Sequence, residues 1–182
     1  MKYPLFVALI VATFSAVTQI DARGKLVKTQ TAKLPIDRKT AGSMNHDMAI
    51  TERYLIVPIA PVTLHFDAME QGKIGTGAMR VHKSEALRVW VVPKDDISKA
   101  MIFELPHEMV FNVGNAYVRG GNELMRNYVG SRNDNFLAGA AVAIMRVAHA
   151  PAGESRMRTA TLNLATGKAS VTSFDDLPEE FP

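Results

Sequence analysis

Residues 87–96 read LRVWVVPKDD, an apolar run rich in valine that stops at a polar turn. β-Branched and aromatic residues favour extended backbone, whereas proline and aspartate favour turns. The same pattern predicts further strands at 26–31, 48–57, 62–66, 101–105, 109–113, 117–118 and 159–164. The predicted turns between them lie at 58–61, 71–72, 93–96, 119–122 and 165–168. Short strands with regular punctuation predict an all-β fold, which could be a sandwich, a barrel or a propeller.

Two stretches depart from the strand pattern. Residues 136–147 are rich in alanine, with Leu137, Ala141 and Ile144 at helical spacing. This spacing predicts a short helix or a buried loop. Residues 126–135 are polar and are predicted to form an exposed loop.

The composition excludes several classes of protein. The chain has 182 residues, 47% of them hydrophobic, which is enough for one domain with a core. Its net charge of +3 is spread along the chain without a basic block, so we expect no nucleic-acid partner. Cysteine is absent, so any metal ion must be held by histidine, aspartate or glutamate.

The N-terminus has two interpretations. Residues 1–17 have a lysine at position 2, followed by an apolar run, which is typical of a signal peptide. The same run is also typical of a buried strand that leads into a hairpin. We therefore divide the chain into residues 1–17, as a signal-like segment or a strand, and a domain at 18–182. The expected location is the cytoplasm or, if the signal is real, an exported or periplasmic one.

His46 is the histidine with the most informative surroundings. It precedes Asp47 at the start of a predicted strand, where an imidazole could bind Fe(II) together with histidines from other strands. A lone histidine beside an aspartate is more often a hydrogen-bonded structural pair, because a metal ion needs several converging ligands. A metal-dependent phosphohydrolase also uses a His-Asp pair, but on helices rather than strands.

The remaining candidates carry weaker signals. His65, His82, His107 and His149 lie in predicted strands or loops without a recognisable metal-binding spacing. Glu180 is flanked by apolar residues, as either a surface acid or an acceptor that fixes the tautomer of a metal-bound histidine.

Four segments resemble the carotenoid cleavage oxygenases, a family that includes lignostilbene dioxygenases and the retinoid isomerohydrolase. Residues 44–54, MNHDMAITERY, are similar to the family pattern M-x-H-D-F-A-I-T-E-N-Y. Residues 87–94 resemble its R-x-x-V-x-P-R strand, and 111–117, FNVGNAY, its F-H-x-x-N-A-Y-E pattern. The segment from Arg156 through LNLATGK to the final EFP resembles R-x-x-L-D-L-x-T-G followed by E-F-P-R.

The resemblance implies an incomplete seven-bladed β-propeller of about two to three blades. It also implies a non-haem Fe(II) dioxygenase, in which four histidines hold the iron and O2 is used to cleave a conjugated C=C bond. The implied substrate is a hydrophobic carotenoid, apocarotenoid or stilbene, and peripheral membrane contact is a further expectation. By position, His46 matches the second iron ligand and Glu180 the acid associated with the third.

The departures from the family pattern concern the iron. Asn112 stands where the third histidine ligand is expected, and an amide oxygen is a poor replacement for imidazole on Fe(II). The chain thus carries one of the four ligands, and we expect it to be catalytically incomplete by itself. The alternatives are an exported protein that binds a hydrophobic ligand on the same scaffold, or a gene fragment without a function.

Overall fold

The computed structural model describes residues 5–11, 14–33, 41–43, 47–73, 75–131 and 155–178. The strands in these ranges are β1 (Leu5–Val11), β2 (Phe14–Ile20), β3 (Leu26–Lys33), β4 (Ala41–Ser43), β5 (Ala49–Ile50), β6 (Tyr54–Ile59), β7 (Val62–His65), β8 (Met79–Val81), β9 (Leu87–Pro93), β10 (Met101–Leu105), β11 (Met109–Arg119), β12 (Glu123–Ser131), β13 (Ser155–Asn163) and β14 (Ala169–Pro178). The helices are α1 (Phe66–Glu70) and two 3-10 turns, Gly75–Ala78 and Ile97–Lys99. The described chain is mostly β, as the sequence predicts.

The strands form four antiparallel sheets. Sheet A has the order β1-β2-β3 and sheet B the order β4-β7-β8. Sheet C has the order β10-β9-β6-β5, and sheet D the order β11-β12-β13-β14. Sheets A and D are meanders, in which each strand pairs with its neighbour in sequence.

The two central strands of sheet C, β6 and β9, are buried on both faces, which explains why they are largely apolar runs. Leu55 and Val57 of β6 lie in one hydrophobic cluster, with Trp90 of β9. Ile56, between them, points to the opposite face and joins a second cluster. Successive side chains of a strand alternate between faces, so an unbroken apolar strand must be covered on both sides.

The second cluster joins sheet C to sheet D and is the main core of the molecule. Sheet C contributes Ala49, Ile56, Leu87, Val89, Val91, Phe103 and Leu105, and sheet D contributes Val110, Leu124, Tyr128, Ala160 and Leu162. Phe103 is 1% exposed and Leu124 is fully buried. Two sheets packed face to face in this way bury the apolar stripe of each against the other.

Sheet A meets the other side of sheet C through polar contacts to a turn. Lys28 Nζ donates to the carbonyl oxygen of Asp95 at 2.7 Å, and Gln30 Nε2 to that of Lys94 at 3.3 Å. Gln30 Oε1 accepts from the backbone N–H of Ile97 at 3.3 Å. The turn after β9 is therefore anchored to β3, and Ala32 packs against the cluster on that face.

Pro58 lies inside β6 and not in the turn that the sequence predicts at 58–61. Its backbone pairs with Val89 on one side. On the other side β5 is too short to reach it, since β5 pairs only with Ile56 and Leu55. A proline is tolerated in a strand where no partner needs its missing N–H.

Three other local predictions differ from the structure. The predicted strand 48–57 is a hairpin, β5 and β6, whose turn is closed by Thr51 Oγ1 accepting from the backbone N–H of Tyr54 at 3.0 Å. The predicted strand 62–66 ends at His65, and Phe66 begins α1. The prediction of an exposed loop beginning at Arg126 is wrong, because β12 continues to Ser131.

Two sequence predictions lie partly or wholly beyond the described residues. The helix predicted at 136–147 falls outside them. In the N-terminal segment, β1 and β2 pair as a hairpin, and cleavage of a signal peptide stays a prediction. In the described part of the chain, no helix has the length and apolar character needed to cross a membrane.

Candidate functional site

The carboxylate of Asp47 connects sheet C to sheet D. Its Oδ1 accepts a hydrogen bond from the backbone N–H of Met48 at 2.8 Å. Its Oδ2 accepts from the backbone N–H of Val113 in β11 at 2.9 Å. One side chain therefore fixes the residue that precedes β5 against the middle of β11.

The predicted iron-site residues are only partly covered by the structure. His46 and Glu180 lie outside the described residues, and Asn112 lies in β11 without a described side chain. Their arrangement around a common axis therefore stays a prediction. Across the described ranges, no three or more histidine, aspartate or glutamate side chains are grouped so as to hold a metal ion.

A buried ion pair joins the residue before β11 to β13. Arg158 Nε lies 2.9 Å from Glu108 Oε1, and these side chains are 5% and 1% exposed. The N–H of that nitrogen is not aligned with the oxygen, so the contact is an ion pair without a well-formed hydrogen bond. Arg158 Nη1 also donates to Ser173 Oγ on β14.

Tyr128 completes this cluster from the neighbouring strand. It stands opposite Arg158 in the β12–β13 register, and its hydroxyl donates to Glu108 Oε2 at 2.9 Å. Burial, followed by the negative charge of Glu108, raises the pKa of Tyr128 well above its ordinary value. The phenol is therefore a permanent hydrogen-bond donor, and it holds the carboxylate in place.

Arg126 is a buried cation on the same strand face as Tyr128. It is 1% exposed, and neither Nε nor Nη2 has a hydrogen-bond partner among the described residues. Burial lowers the pKa of Arg126 to about 10, and the nearby charge of Asp47 opposes this shift only in part. Since a buried charge without aligned acceptors is unfavourable, Arg126 works against the stability of the fold.

Replacing Arg126 with methionine is expected to raise the free energy of unfolding by about 1–3 kcal/mol, the cost of burying polar atoms without hydrogen-bond partners, here Nε and Nη2. The lowered pKa of Arg126 lies well above 7, so at neutral pH the side chain is charged in both states and the cost of burial is fully present. Urea denaturation at pH 7 measures the difference.

Arg119→Met is the matched control for this substitution. Arg119 lies one strand earlier in an exposed pair with Glu123, at 2.9 Å, and its loss should change stability by less than about 1 kcal/mol. A clear loss of stability in Arg126→Met relative to Arg119→Met would contradict the prediction.

Three of the other histidines are described, and two of them contact the same threonine. His65 Nε2 and His82 Nε2 lie 3.0 and 2.8 Å from the hydroxyl oxygen of Thr63. His107 Nδ1 lies 2.7 Å from the carbonyl oxygen of Glu85. His149 lies outside the described residues.

Some of the buried polar residues that the sequence analysis overlooks have a detectable sequence signal, and others have none. Asp47 belongs to a quoted motif, but its bond to Val113 joins positions 66 apart and no local pattern indicates it. Arg126 and Tyr128 follow the two-residue spacing of one strand face, as do Arg156 and Arg158. That alternation is a detectable strand signal, although polar composition points to a loop.

A family profile described as retinal pigment epithelial membrane protein matches residues 5–182, which is nearly the whole chain. The chain belongs to this family. The resemblance to the carotenoid oxygenases, drawn from four short segments, is thereby confirmed. A search of the curated proteins finds no match to the sequence.

Solved structures of the same family have a similar fold. A cobalt-substituted Synechocystis apocarotenoid oxygenase shares 17% identity with a TM-score of 0.69, over 94% of this chain and 35% of its own. A chimera of that oxygenase with RPE65 shares 18% identity with a TM-score of 0.70, over 94% of this chain and 35% of its own. The chain therefore spans about a third of the length of these relatives, and its four sheets correspond to part of a β-propeller, as predicted.

Proposed function

We propose that the chain is part of a non-haem Fe(II) dioxygenase that cleaves a conjugated C=C bond of a carotenoid, apocarotenoid or stilbene. Membership of the carotenoid oxygenase family supports this reaction class. We further propose that these 182 residues do not complete the iron centre by themselves, because they carry one of the four expected histidines, His46, with Asn112 at a second position.

The observation that carries the proposal is the double hydrogen bond of Asp47. Its carboxylate joins the backbone N–H of Met48 to that of Val113, at 2.8 and 2.9 Å. In sequence, Asp47 directly follows His46, and Val113 directly follows Asn112. The hydrogen bond between Asp47 and Val113 supports the proposal that His46 and Asn112 lie near each other, where β5 and β11 adjoin.

Asp47 acts in this proposal as a positioning residue. Each of its two carboxylate oxygens accepts a hydrogen bond from a backbone N–H, so the side chain holds the segment before β5 against β11. Glu180 is proposed to orient the imidazole that the family pattern has at position 112, as carboxylates do for metal-bound histidines.

Bound Fe(II) would supply the activation of O2. The described residues do not fit a complete iron site, since they contain no cluster of three or more suitable ligands. In this proposal the chain contributes the imidazole of His46, the adjoining strands β5 and β11, and an apolar interior.

Anaerobic Fe(II) titration of the purified chain tests the site. We expect weak binding for the natural chain, because tight metal binding requires several preorganised ligands. Asn112→His is expected to tighten the binding on the order of tenfold or more, since even an outer partner of a ligand is worth that much. Oxygen uptake with a stilbene and an apocarotenoid should stay at background for the natural chain.

Two controls separate the site from a general effect of adding histidine. Asn122→His adds an imidazole in the exposed turn after β11 and should leave iron affinity unchanged. His46→Gln should abolish the gain of Asn112→His. Stoichiometric, tight iron and product formation by the natural chain would overturn the view that it is incomplete.

A further inference from the structure

We propose that Arg126 binds a small planar anion of the carboxylate type, of the size of formate, in the interior between sheets C and D. Its side chain is 1% exposed, and neither Nε nor Nη2 has a hydrogen-bond partner among the described residues. These two nitrogens lie along one edge of the planar guanidinium group, so their N–H bonds point the same way. The site requires no iron and is independent of the proposed oxygenase reaction.

The free edge of Arg126 has the geometry that a carboxylate matches. Arginine and carboxylate groups pair through two parallel N–H···O bonds, each about 2.7–2.9 Å long. An anion with two oxygens on one side therefore accepts from Nε and Nη2 together. A water molecule offers both donors a single oxygen, and it brings no negative charge to offset the cation.

Strand alternation directs the Arg126 side chain towards sheet C. Arg126 lies on β12 between Leu124 and Tyr128, each two residues away, and side chains at this spacing share a face. Leu124 and Tyr128 both belong to the cluster that joins sheet D to sheet C. The guanidinium group therefore lies inside the joint between the two sheets, where an unpaired donor is unfavourable.

The neighbours of Arg126 across the sheet are the smallest side chains that a strand offers. Arg126 stands opposite Ala116 on β11 and opposite Ala160 on β13, and directly opposite residues project from the same face. A methyl group ends far below the level of a guanidinium group. At these two positions the adjacent strands therefore do not cover the end of Arg126, and an anion of a few atoms suits such a position better than a long-chain acid.

The carboxylates near Arg126 are engaged with other groups. Asp47 attracts Arg126 through its charge, but its two oxygens accept from the backbone N–H groups of Met48 and Val113. Glu108 holds Arg158 at 2.9 Å. The pKa of Arg126, lowered by burial to about 10, keeps the side chain charged at pH 7. A buried cation with two free donors therefore favours an additional acceptor that is negatively charged.

Thermal unfolding of the full chain in sodium formate tests the proposal, with sodium chloride at the same ionic strength and pH 7 as the reference. Because Arg126 is buried, the ion enters when sheets C and D separate, and reversible unfolding and refolding provide that access. A ligand that binds only the folded chain stabilises it. We expect the melting temperature to rise by about 3–6 °C when the formate concentration is about ten times its dissociation constant.

Three variants separate the Arg126 site from a general effect of the salt. Arg126→Lys keeps the positive charge but lacks the planar edge, and Arg126→Met removes both, so each should lose the rise in formate. Arg119→Met removes an exposed arginine that pairs with Glu123 and should keep the rise. Arg126→Met is expected to be more stable than the natural chain in chloride, so its loss of the formate effect cannot come from a failure to fold.

The Nε–H resonance of Arg126 gives a direct readout in the ¹⁵N-labelled natural chain, and its absence from Arg126→Met assigns it. We expect this resonance to move downfield with formate and to saturate at one ion per chain, because a charged acceptor forms a strong hydrogen bond. A resonance that stays in place at high formate overturns the proposal, since water alone then fills the free edge. An equal rise in melting temperature for the natural chain and Arg126→Met does the same.

Discussion

Glu108→Gln is expected to lower the free energy of unfolding by about 3–5 kcal/mol, the cost of removing one partner from a buried ion pair. Glu108 is 1% exposed and lies 2.9 Å from Arg158, which is itself buried. Glutamine keeps the size and can still accept the hydrogen bond of Tyr128. The substitution therefore isolates the loss of the negative charge.

The magnitude follows from what the substitution leaves behind. Arg126 and Arg158 are both buried and lie on neighbouring strands of sheet D. Glu108 and Asp47 are the carboxylates that act on this cluster in the described part of the chain. With Glu108 neutral, Arg158 retains its charge without an opposite charge beside it, and water cannot replace the lost partner.

Urea denaturation followed by circular dichroism measures the effect, and Glu104→Gln serves as its control. Glu104 lies on the exposed face of β10, so the same chemical change there should alter stability by less than about 0.5 kcal/mol. Equal stabilities for the two variants would show that the Glu108–Arg158 pair does not hold sheet D together.

Phe103→Ala is the second substitution with a large expected effect, a loss of about 3–5 kcal/mol. The ring is 1% exposed and lies in the cluster shared by sheets C and D. Truncation removes the apolar contacts and leaves a cavity that the strands around it cannot fill, because β9 and β12 are fixed by their own pairings. The docking of the two sheets should weaken accordingly.

Ile102→Ala is the matched comparison, since Ile102 is the adjacent residue of β10, faces the other way and is 44% exposed. Its truncation should cost less than about 1 kcal/mol, because much of the side chain is already in water. Thermal and urea unfolding of both variants give the difference. If Ile102→Ala were as damaging as Phe103→Ala, the assignment of the core to this face of β10 would be wrong.

The regular part of the fold can be predicted because its signal is local. The run at 87–96 contains its own strand, turn and apolar pattern, and β9 with the turn after it matches the prediction closely. The loop prediction for the segment that begins at Arg126 is wrong because the local signal there is misleading. A buried arginine is rare, so the polar composition of this segment favours a loop prediction and outweighs the weaker strand alternation of Arg126 and Tyr128.

The candidate sites show the same division. The motif around His46 is legible in one segment, so family membership could be predicted and is confirmed by the profile match. Arg158 meets Glu108, and His82 meets Thr63, across turns and strands whose register no local pattern specifies. The sequence motifs therefore identify candidate residues, but which of these residues contact one another depends on the strand register, which the motifs do not specify.

The Asp47 bridge has a consequence for the order in which the protein acquires its structure. Its two ends are 66 positions apart, so the segment carrying His46 leaves the ribosome long before its partner strand is made. Closing so long a loop costs conformational entropy that later contacts must repay. The segment that carries His46, the proposed iron ligand, therefore cannot be held against β11 until Val113 has been made.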